Sequence, residues 1–149
     1  MTQRTARQQQ DDDLRSYAPW FYAAAVYNLV WGTLVVLFPA ALFAALDIER
    51  PDSLPIWQVV GMFVLVYAPA YWWAARRPDR FPHIILIGML GKLLGPIGFV
   101  FSAVFSDFPA TFGLTILTND LIWYPSFIGY LRKAARRAGG WNRLLSGED

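Results

Sequence analysis

Apolar residues in this chain collect into four long runs that are separated by short polar connections. Each run reaches the length of about 20 residues that a helix needs to cross the hydrocarbon core of a bilayer. None of the runs carries the polar face that a helix of a water-soluble protein would need. The pattern therefore predicts four transmembrane helices, at Pro19–Leu46, Leu54–Ala75, Pro82–Phe105 and Pro109–Leu131.

Prolines and connection lengths refine this arrangement. One proline lies at or near the start of each run, where its missing N–H costs nothing: Pro19, Pro55, Pro82 and Pro109. Four others lie inside or late in the runs and predict kinks: Pro39, Pro69, Pro96 and Pro125. Because the connections are short, consecutive helices must run antiparallel. We therefore expect an all-α integral membrane protein, a four-helix bundle with up-down topology.

Composition supports a membrane protein and narrows its chemistry. Hydrophobic residues make up 56% of the 149 residues and charged residues 16%, against about 25% charged in a typical soluble domain. The absence of cysteine excludes disulfides, thiolate metal sites and thiol peroxidase chemistry. A single histidine, His83, does not make a usual metal site. We accordingly predict no metal, no cofactor and no catalytic residue.

Basic residues predict the orientation. Of the 13 lysine and arginine residues, all but Arg50 and Lys92 lie in the N-terminal stretch, the second connection or the C-terminal stretch. Cytoplasmic segments carry such an excess, so both termini should be cytoplasmic, and the small positive net charge does not indicate a nucleic-acid partner. The expected domains are a disordered cytoplasmic tail at 1–16, a four-helix membrane domain at 17–133 and a basic cytoplasmic tail at 134–149.

Two charged side chains lie deep inside the predicted spans. Lys92 is ten residues from the start of the third helix, and Asp120 is eleven residues from the end of the fourth. Both should therefore lie about 15 Å from the cytoplasmic side, near the midplane, and Asn28 is about as deep on the first helix. We expect Lys92 and Asp120 to form an ion pair inside the bundle, with Asn28 or Asn119 satisfying the remaining polar groups. Alternatively, the pair only fixes helix register.

Aromatic residues cluster at the same level. Trp31 follows Asn28 by three residues, and Trp123 and Tyr124 follow Asp120 by three and four, spacings that share a helix face. Tyr67 and Tyr71 lie one turn apart in the second helix. These rings could wall a ligand pocket with a few polar anchors, although aromatic residues at membrane interfaces and in helix packing are common. The expected ligand-binding residues are Lys92, Asp120, Asn28, Asn119, Trp31, Trp123, Tyr67 and Tyr71.

Small residues draw a stripe along the third helix, with Lys92 at its border. The residues Gly88, Gly91, Gly95, Gly98 and Ser102 recur at alternating spacings of three and four. Such a stripe lets another helix backbone approach closely. It indicates either packing within the bundle or a homodimer interface.

The segments GMLGKLLGPIGFVFS and TNDLIWYPSFIGYL, together with YNLVWG and WQVVGM, resemble a set of small uncharacterised bacterial membrane proteins. The likeness covers about residues 20–132. The plan is also distantly similar to DoxX-type four-helix membrane proteins. The resemblance implies a multi-pass protein of the bacterial inner (cytoplasmic) membrane, and no particular activity. Some such sequences carry a peroxidase-type label, but the thiol mechanism needs a cysteine that this chain lacks.

Three functions remain open at this stage. The first is binding or transport of a small anionic or lipid-like ligand at the polar pocket, with membrane lipid as the surrounding partner. The second is an accessory or assembly subunit of a larger membrane complex. The third is a membrane enzyme acting on a lipid or isoprenoid, with Asp120 and Lys92 transferring protons.

Overall fold

The computed structural model describes residues 11–147, and within this range the chain is helical with no strand. We number the helices in chain order. They are α1 (Ala18–Leu37), α2 (Ala41–Ala45), α3 (Leu54–Arg76), α4 (Pro82–Phe105), α5 (Gly113–Asn119), α6 (Tyr124–Ala138) and α7 (Trp141–Ser146). A helical turn at 11–15 precedes α1, and short 3-10 helices occur at Ala110–Phe112 and Leu121–Trp123.

Three helical segments are long and apolar enough to cross a membrane. They are Asp11–Leu37, Leu54–Arg76 and Pro82–Phe105, with mean hydropathies of 1.5, 1.5 and 2.1. Large apolar side chains cover their outer faces: Val66, Leu94 and Phe105 are each about two thirds exposed or more. Such a surface would be unfavourable in water and suits contact with acyl chains.

The first predicted span is shorter than its apolar run. Helix α1 ends at Leu37, and Phe38 adopts φ −130° and ψ 61°, outside the helical region. The proline that follows disfavours a helical conformation at Phe38 and cannot donate to the carbonyl four residues back. Pro39 therefore ends the helix rather than kinking it, and α2 continues as a separate short helix.

The fourth apolar run does not form the single unbroken helix expected at Pro109–Leu131. Helix α5 ends at Asn119, and the chain passes through Asp120 and the 3-10 helix before α6 begins at Tyr124. Pro125 contributes to the break because it cannot donate an N–H to the Leu121 carbonyl. The prediction of a continuous fourth helix was therefore wrong, and the interruption falls at the residue singled out for its charge.

Helices α1 and α3 pack side by side along most of their lengths. Gly32 makes this possible, because a Cβ atom placed on it would lie 2.8 Å from the carbonyl oxygen of Gly61 and 2.9 Å from the amide nitrogen of Leu65. The close approach brings Asn28, one turn earlier on α1, against the backbone of α3.

The described chain enters and leaves at one end of the molecule, which we call the basal end. Asp11 pairs with Arg137 at 2.7 Å, and the hydroxyl of Tyr130 donates to the carbonyl of Pro78 in the connection between α3 and α4. The buried core also lies towards this end, around Phe21, Ile85 and Phe127. Helix α4 therefore leaves the basal end, and the segment from α5 through α6 returns to it.

The predicted tails differ from the structure where it describes them. Residues 11–15 are helical and not disordered, and residues 1–10 and 148–149 lie outside the described range. The C-terminal stretch is folded as well: α6 continues to Ala138, and α7 returns so that Leu144 is 3% exposed.

Candidate functional site

A cavity of about 140 Å³ lies where the four apolar segments meet. Helix α1 contributes one lining residue, α3 contributes four, α4 contributes three and the end of α5 contributes two. They are Asn28; Phe63, Val64, Tyr67 and Tyr71; Gly88, Gly91 and Lys92; Asn119 and Asp120. The structure thus brings six of the eight predicted site residues to one cavity, and it leaves Trp31 and Trp123 outside the lining.

Lys92 is buried, with 5% of its surface exposed, and its ammonium donates a hydrogen bond of 2.5 Å to the backbone carbonyl of Asn119. Within residues 11–147, ion pairs join Lys133 to Asp13 and Arg137 to Asp11, and none joins Lys92 to Asp120. The predicted direct ion pair was therefore wrong. Lys92 binds the backbone of the residue before Asp120 instead of its carboxylate.

The break in the fourth segment explains why this carbonyl accepts from Lys92. In a continuous α-helix the Asn119 carbonyl would accept from the N–H four residues later, that of Trp123. Here the Trp123 N–H donates to the Asp120 carbonyl at 3.2 Å. The change to 3-10 geometry frees the Asn119 carbonyl, and a buried carbonyl needs another donor.

A second bond joins the same two segments in the opposite direction. The Lys92 carbonyl would normally accept from residue 96, but that residue is Pro96, which has no N–H. The hydroxyl of Tyr124 donates to it instead, at 2.9 Å. Sequence reasoning placed Tyr124 only among the aromatic walls. The signal that could have found its role was a proline four residues after the buried lysine.

Asp120 is also buried, with 4% of its surface exposed. One carboxylate oxygen accepts from the side-chain amide of Asn119 at 3.1 Å. The other lies against Gly95, where an added Cβ atom would be only 2.5 Å away. Gly95 is therefore small because the carboxylate occupies the space that a side chain would need.

The other glycines of the predicted stripe divide into two kinds. A Cβ atom on Gly88 would overlap the hydroxyl of Tyr71, so the Tyr71 ring occupies that position. Gly91 and Gly98 have no described atom within 4 Å of an added Cβ. Two of the four glycines in the stripe thus accommodate site residues, and the homodimer predicted from the stripe stays a prediction.

Asn28 and Asn119 supply acceptor groups to the cavity. Asn28 is 3% exposed, and its Nδ2 donates to the Val64 carbonyl at 3.3 Å. Among the described residues, no hydrogen-bond donor reaches the Oδ1 atoms of Asn28 or Asn119. Because a buried acceptor without a donor costs about 1–3 kcal/mol, these atoms favour an occupant that carries a donor.

The predicted aromatic residues have different surroundings. Tyr67 and Tyr71 pack with ring centroids 5.6 Å apart on the α3 side of the cavity. Trp123 lies behind the lysine, with its ring centroid 5.8 Å from the Lys92 ammonium. Trp31 packs against Trp57, at 5.9 Å, and belongs to another aromatic cluster. Of the four aromatic residues predicted to line the pocket, only Tyr67 and Tyr71 therefore do so.

The cavity thus presents one strong donor, the Lys92 ammonium, beside several oxygen acceptors. Across residues 11–147, no cluster of three or more histidine, aspartate or glutamate side chains is arranged to hold a metal ion. The arrangement suits a small molecule that offers an acceptor to Lys92 and a donor to the oxygens. Comparison of this chain with known protein families, with curated proteins and with solved structures finds no match.

Proposed function

We propose that this chain is a bacterial inner-membrane protein that crosses the bilayer four times, with the broken segment from Pro109 to Leu131 as the fourth crossing. Helix α4 is about 36 Å long by its residue count and leaves the basal end, so the chain must return across the same thickness to reach α6. The concentration of arginine at the basal end supports a cytoplasmic position for that end and for both termini.

We further propose that the cavity binds a small carboxylate. The observation that carries this proposal is a buried ammonium beside a cavity, with a backbone carbonyl as its hydrogen-bond acceptor. A lysine at the centre of a membrane helix costs at least about 2.5–3.5 kcal/mol on insertion scales. A neutral side chain would avoid this cost, so the presence of a buried ammonium favours a role in binding an anion.

The cavity volume limits the ligand. An occupant of about 150 Å³ corresponds to a molecule the size of benzene, whereas drug-sized ligands need about 300–1,000 Å³. The cavity of about 140 Å³ therefore fits a carboxylate with two or three carbon atoms and excludes a whole lipid. The lipid-like ligand expected from the sequence would place only its polar end in a cavity of this size.

The surrounding oxygens favour a carboxylate that also carries a hydroxyl or amino group. In the bound state the ligand carboxylate would accept from a second N–H of the Lys92 ammonium, which has three donors and keeps its bond to the Asn119 carbonyl. Its hydroxyl or amino group would donate to Asn28 Oδ1 or Asn119 Oδ1, which lack donors within the described chain. Because the ammonium keeps the Asn119 carbonyl as a partner, the ligand can enter without leaving a buried carbonyl unpaired. Its hydroxyl or amino group can also donate to the Asp120 carboxylate in the same lining.

Titration calorimetry on the full chain in lipid nanodiscs tests this proposal with lactate and propionate, which differ by one hydroxyl group. We expect saturable binding of lactate, weaker binding of propionate, and loss of both in Lys92→Met. The chain has one other lysine, so Lys133→Met is a matched control at the surface and should bind as the unaltered protein does. Uptake of labelled lactate into proteoliposomes then separates transport from binding alone.

Two results would contradict the proposal. One is the absence of saturable binding for lactate, alanine and acetate in a protein that unfolds cooperatively. The other is binding that persists unchanged in Lys92→Met.

A further inference from the structure

A second and larger cavity, of about 840 Å³, lies at the basal end. It is lined by the connection between α3 and α4, the start of α4, the second half of α6, α7, and Leu14 from the turn before α1. Helix α7 is fixed in place because His83 at the start of α4 forms a hydrogen bond of 2.6 Å with the Leu144 carbonyl. The volume falls within the range of about 300–1,000 Å³ that is typical of ligand sites.

Three arginines from three different elements line this cavity: Arg80 from the connection, Arg137 from α6 and Arg143 from α7. Arg137 is held in position by Asp11, at 2.7 Å, and by the Asp79 carbonyl, at 3.2 Å. Among the lining residues that the structure describes, Asp79 is the only carboxylate, so positive charge predominates there even though Asp11 pairs with Arg137. Arginines that separate elements contribute to one cavity are typical of phosphate recognition.

One part of the lining is apolar. Leu14, Phe81, Tyr130 and Leu144 contribute to the same cavity as the arginines. A site for a free anion in water would not need this surface, whereas a phospholipid presents a charged phosphate next to glycerol and acyl carbons. The combination of arginines with an apolar wall therefore fits a lipid better than a soluble phosphate.

The position of the cavity agrees with this interpretation. Helix α3 ends at Arg76 and α4 begins at Pro82, so the cavity lies at the level where two membrane-crossing helices end. This is the level of lipid headgroups. We propose that the basal cavity binds the phosphate of an anionic phospholipid, with Arg80 and Arg143 as the contacting residues and Arg137 as the fixed third cation.

Native mass spectrometry of the full chain, released from detergent with defined lipids, tests the site. We expect retained phosphatidylglycerol and little retained phosphatidylcholine. Arg80→Gln and Arg143→Gln should each weaken phosphatidylglycerol binding about tenfold, because each removes one charge-assisted contact. Arg132→Gln is the matched control: it removes the same charge from the exposed face of α6, away from the cavity lining.

A parallel arm distinguishes the two sources of phosphate. Inorganic phosphate or glycerol phosphate could raise the melting temperature of the protein, but not of Arg80→Gln or Arg143→Gln, while phosphatidylglycerol is not retained. The site would then bind a soluble anion, and the lipid proposal would be overturned. Equal weakening in Arg132→Gln would mean that only general surface charge attracts the lipid. Equal weakening in Arg132→Gln overturns the proposal, and so does the absence of binding by both phosphatidylglycerol and the soluble phosphates. Because Lys92 lies in another cavity, Lys92→Met should leave this binding unchanged.

Discussion

Lys92 and Asn119 are joined by a hydrogen bond of 2.5 Å between the lysine ammonium and the asparagine backbone carbonyl. Tyr124 completes a reciprocal link by donating to the Lys92 carbonyl at 2.9 Å. Each bond satisfies a carbonyl that its own helix leaves without a partner, one because of the break after α5 and the other because of Pro96. Two interruptions on neighbouring segments thus compensate each other, and the charged side chain lies between them.

The Tyr124 link predicts coupling between two substitutions. Tyr124→Phe should lower the free energy of unfolding by about 1–3 kcal/mol, because the buried Lys92 carbonyl loses its donor. In a Pro96→Ala background the alanine N–H can donate to that carbonyl, so the same change should cost markedly less. A double-mutant cycle by chemical unfolding in mixed micelles measures the difference. Equal costs in the two backgrounds would contradict the mutual compensation.

The glycine stripe gives a second prediction with an internal control. Gly95→Ala should destabilise the protein by about 1–3 kcal/mol, because the new methyl group would lie in the space of the Asp120 carboxylate. Gly98→Ala should be neutral or slightly stabilising, because no described atom lies near the added group and alanine favours a helix. Thermal unfolding of both variants in the same detergent compares them. Destabilisation by Gly98→Ala instead, with loss of a dimer on size-exclusion chromatography, would indicate that a second copy covers this face.

Asn28 predicts the selectivity of the cavity. In Asn28→Leu, a side chain of similar size lacks both the donor to Val64 and the free acceptor oxygen. We expect the preference for lactate over propionate to fall several-fold, because the ligand hydroxyl loses its acceptor while the carboxylate keeps Lys92. Calorimetry with both ligands measures the ratio of their dissociation constants, and Asn142→Leu on α7 serves as the control. If Asn28→Leu kept the preference for lactate over propionate, the ligand hydroxyl would not donate to Asn28.

Depth along the helices was sufficient to predict that Lys92, Asp120 and Asn28 meet at one cavity. Lys92, Asp120 and Asn28 lie at the same level because each is a fixed number of residues from a helix end. The break at Asp120 could not be predicted in this way, because apolar residues continue through it and leave no periodic signal. The prediction of a direct ion pair assumed an unbroken fourth helix, and it was wrong because the helix is broken at Asp120. A hydropathy pattern describes side chains only, so it could not show that the hydrogen-bond partner of Lys92 is a backbone carbonyl.

The absence of cysteine from the sequence makes the proposed topology directly testable. Single cysteines at Arg76 and Asn142 should both react with an impermeant maleimide only after the cytoplasmic face is opened, because the structure places both at the basal end. A cysteine at Ser106, beyond the far end of α4, should react in intact cells. Labelling in spheroplasts and inverted vesicles from a bacterial host measures the accessibility of all three. If Arg76→Cys and Asn142→Cys reacted from opposite faces, the segment between Pro109 and Leu131 would not be a fourth crossing. If both reacted in intact cells, the basal end would be periplasmic, and the rule that positive charge remains inside would have predicted the wrong orientation.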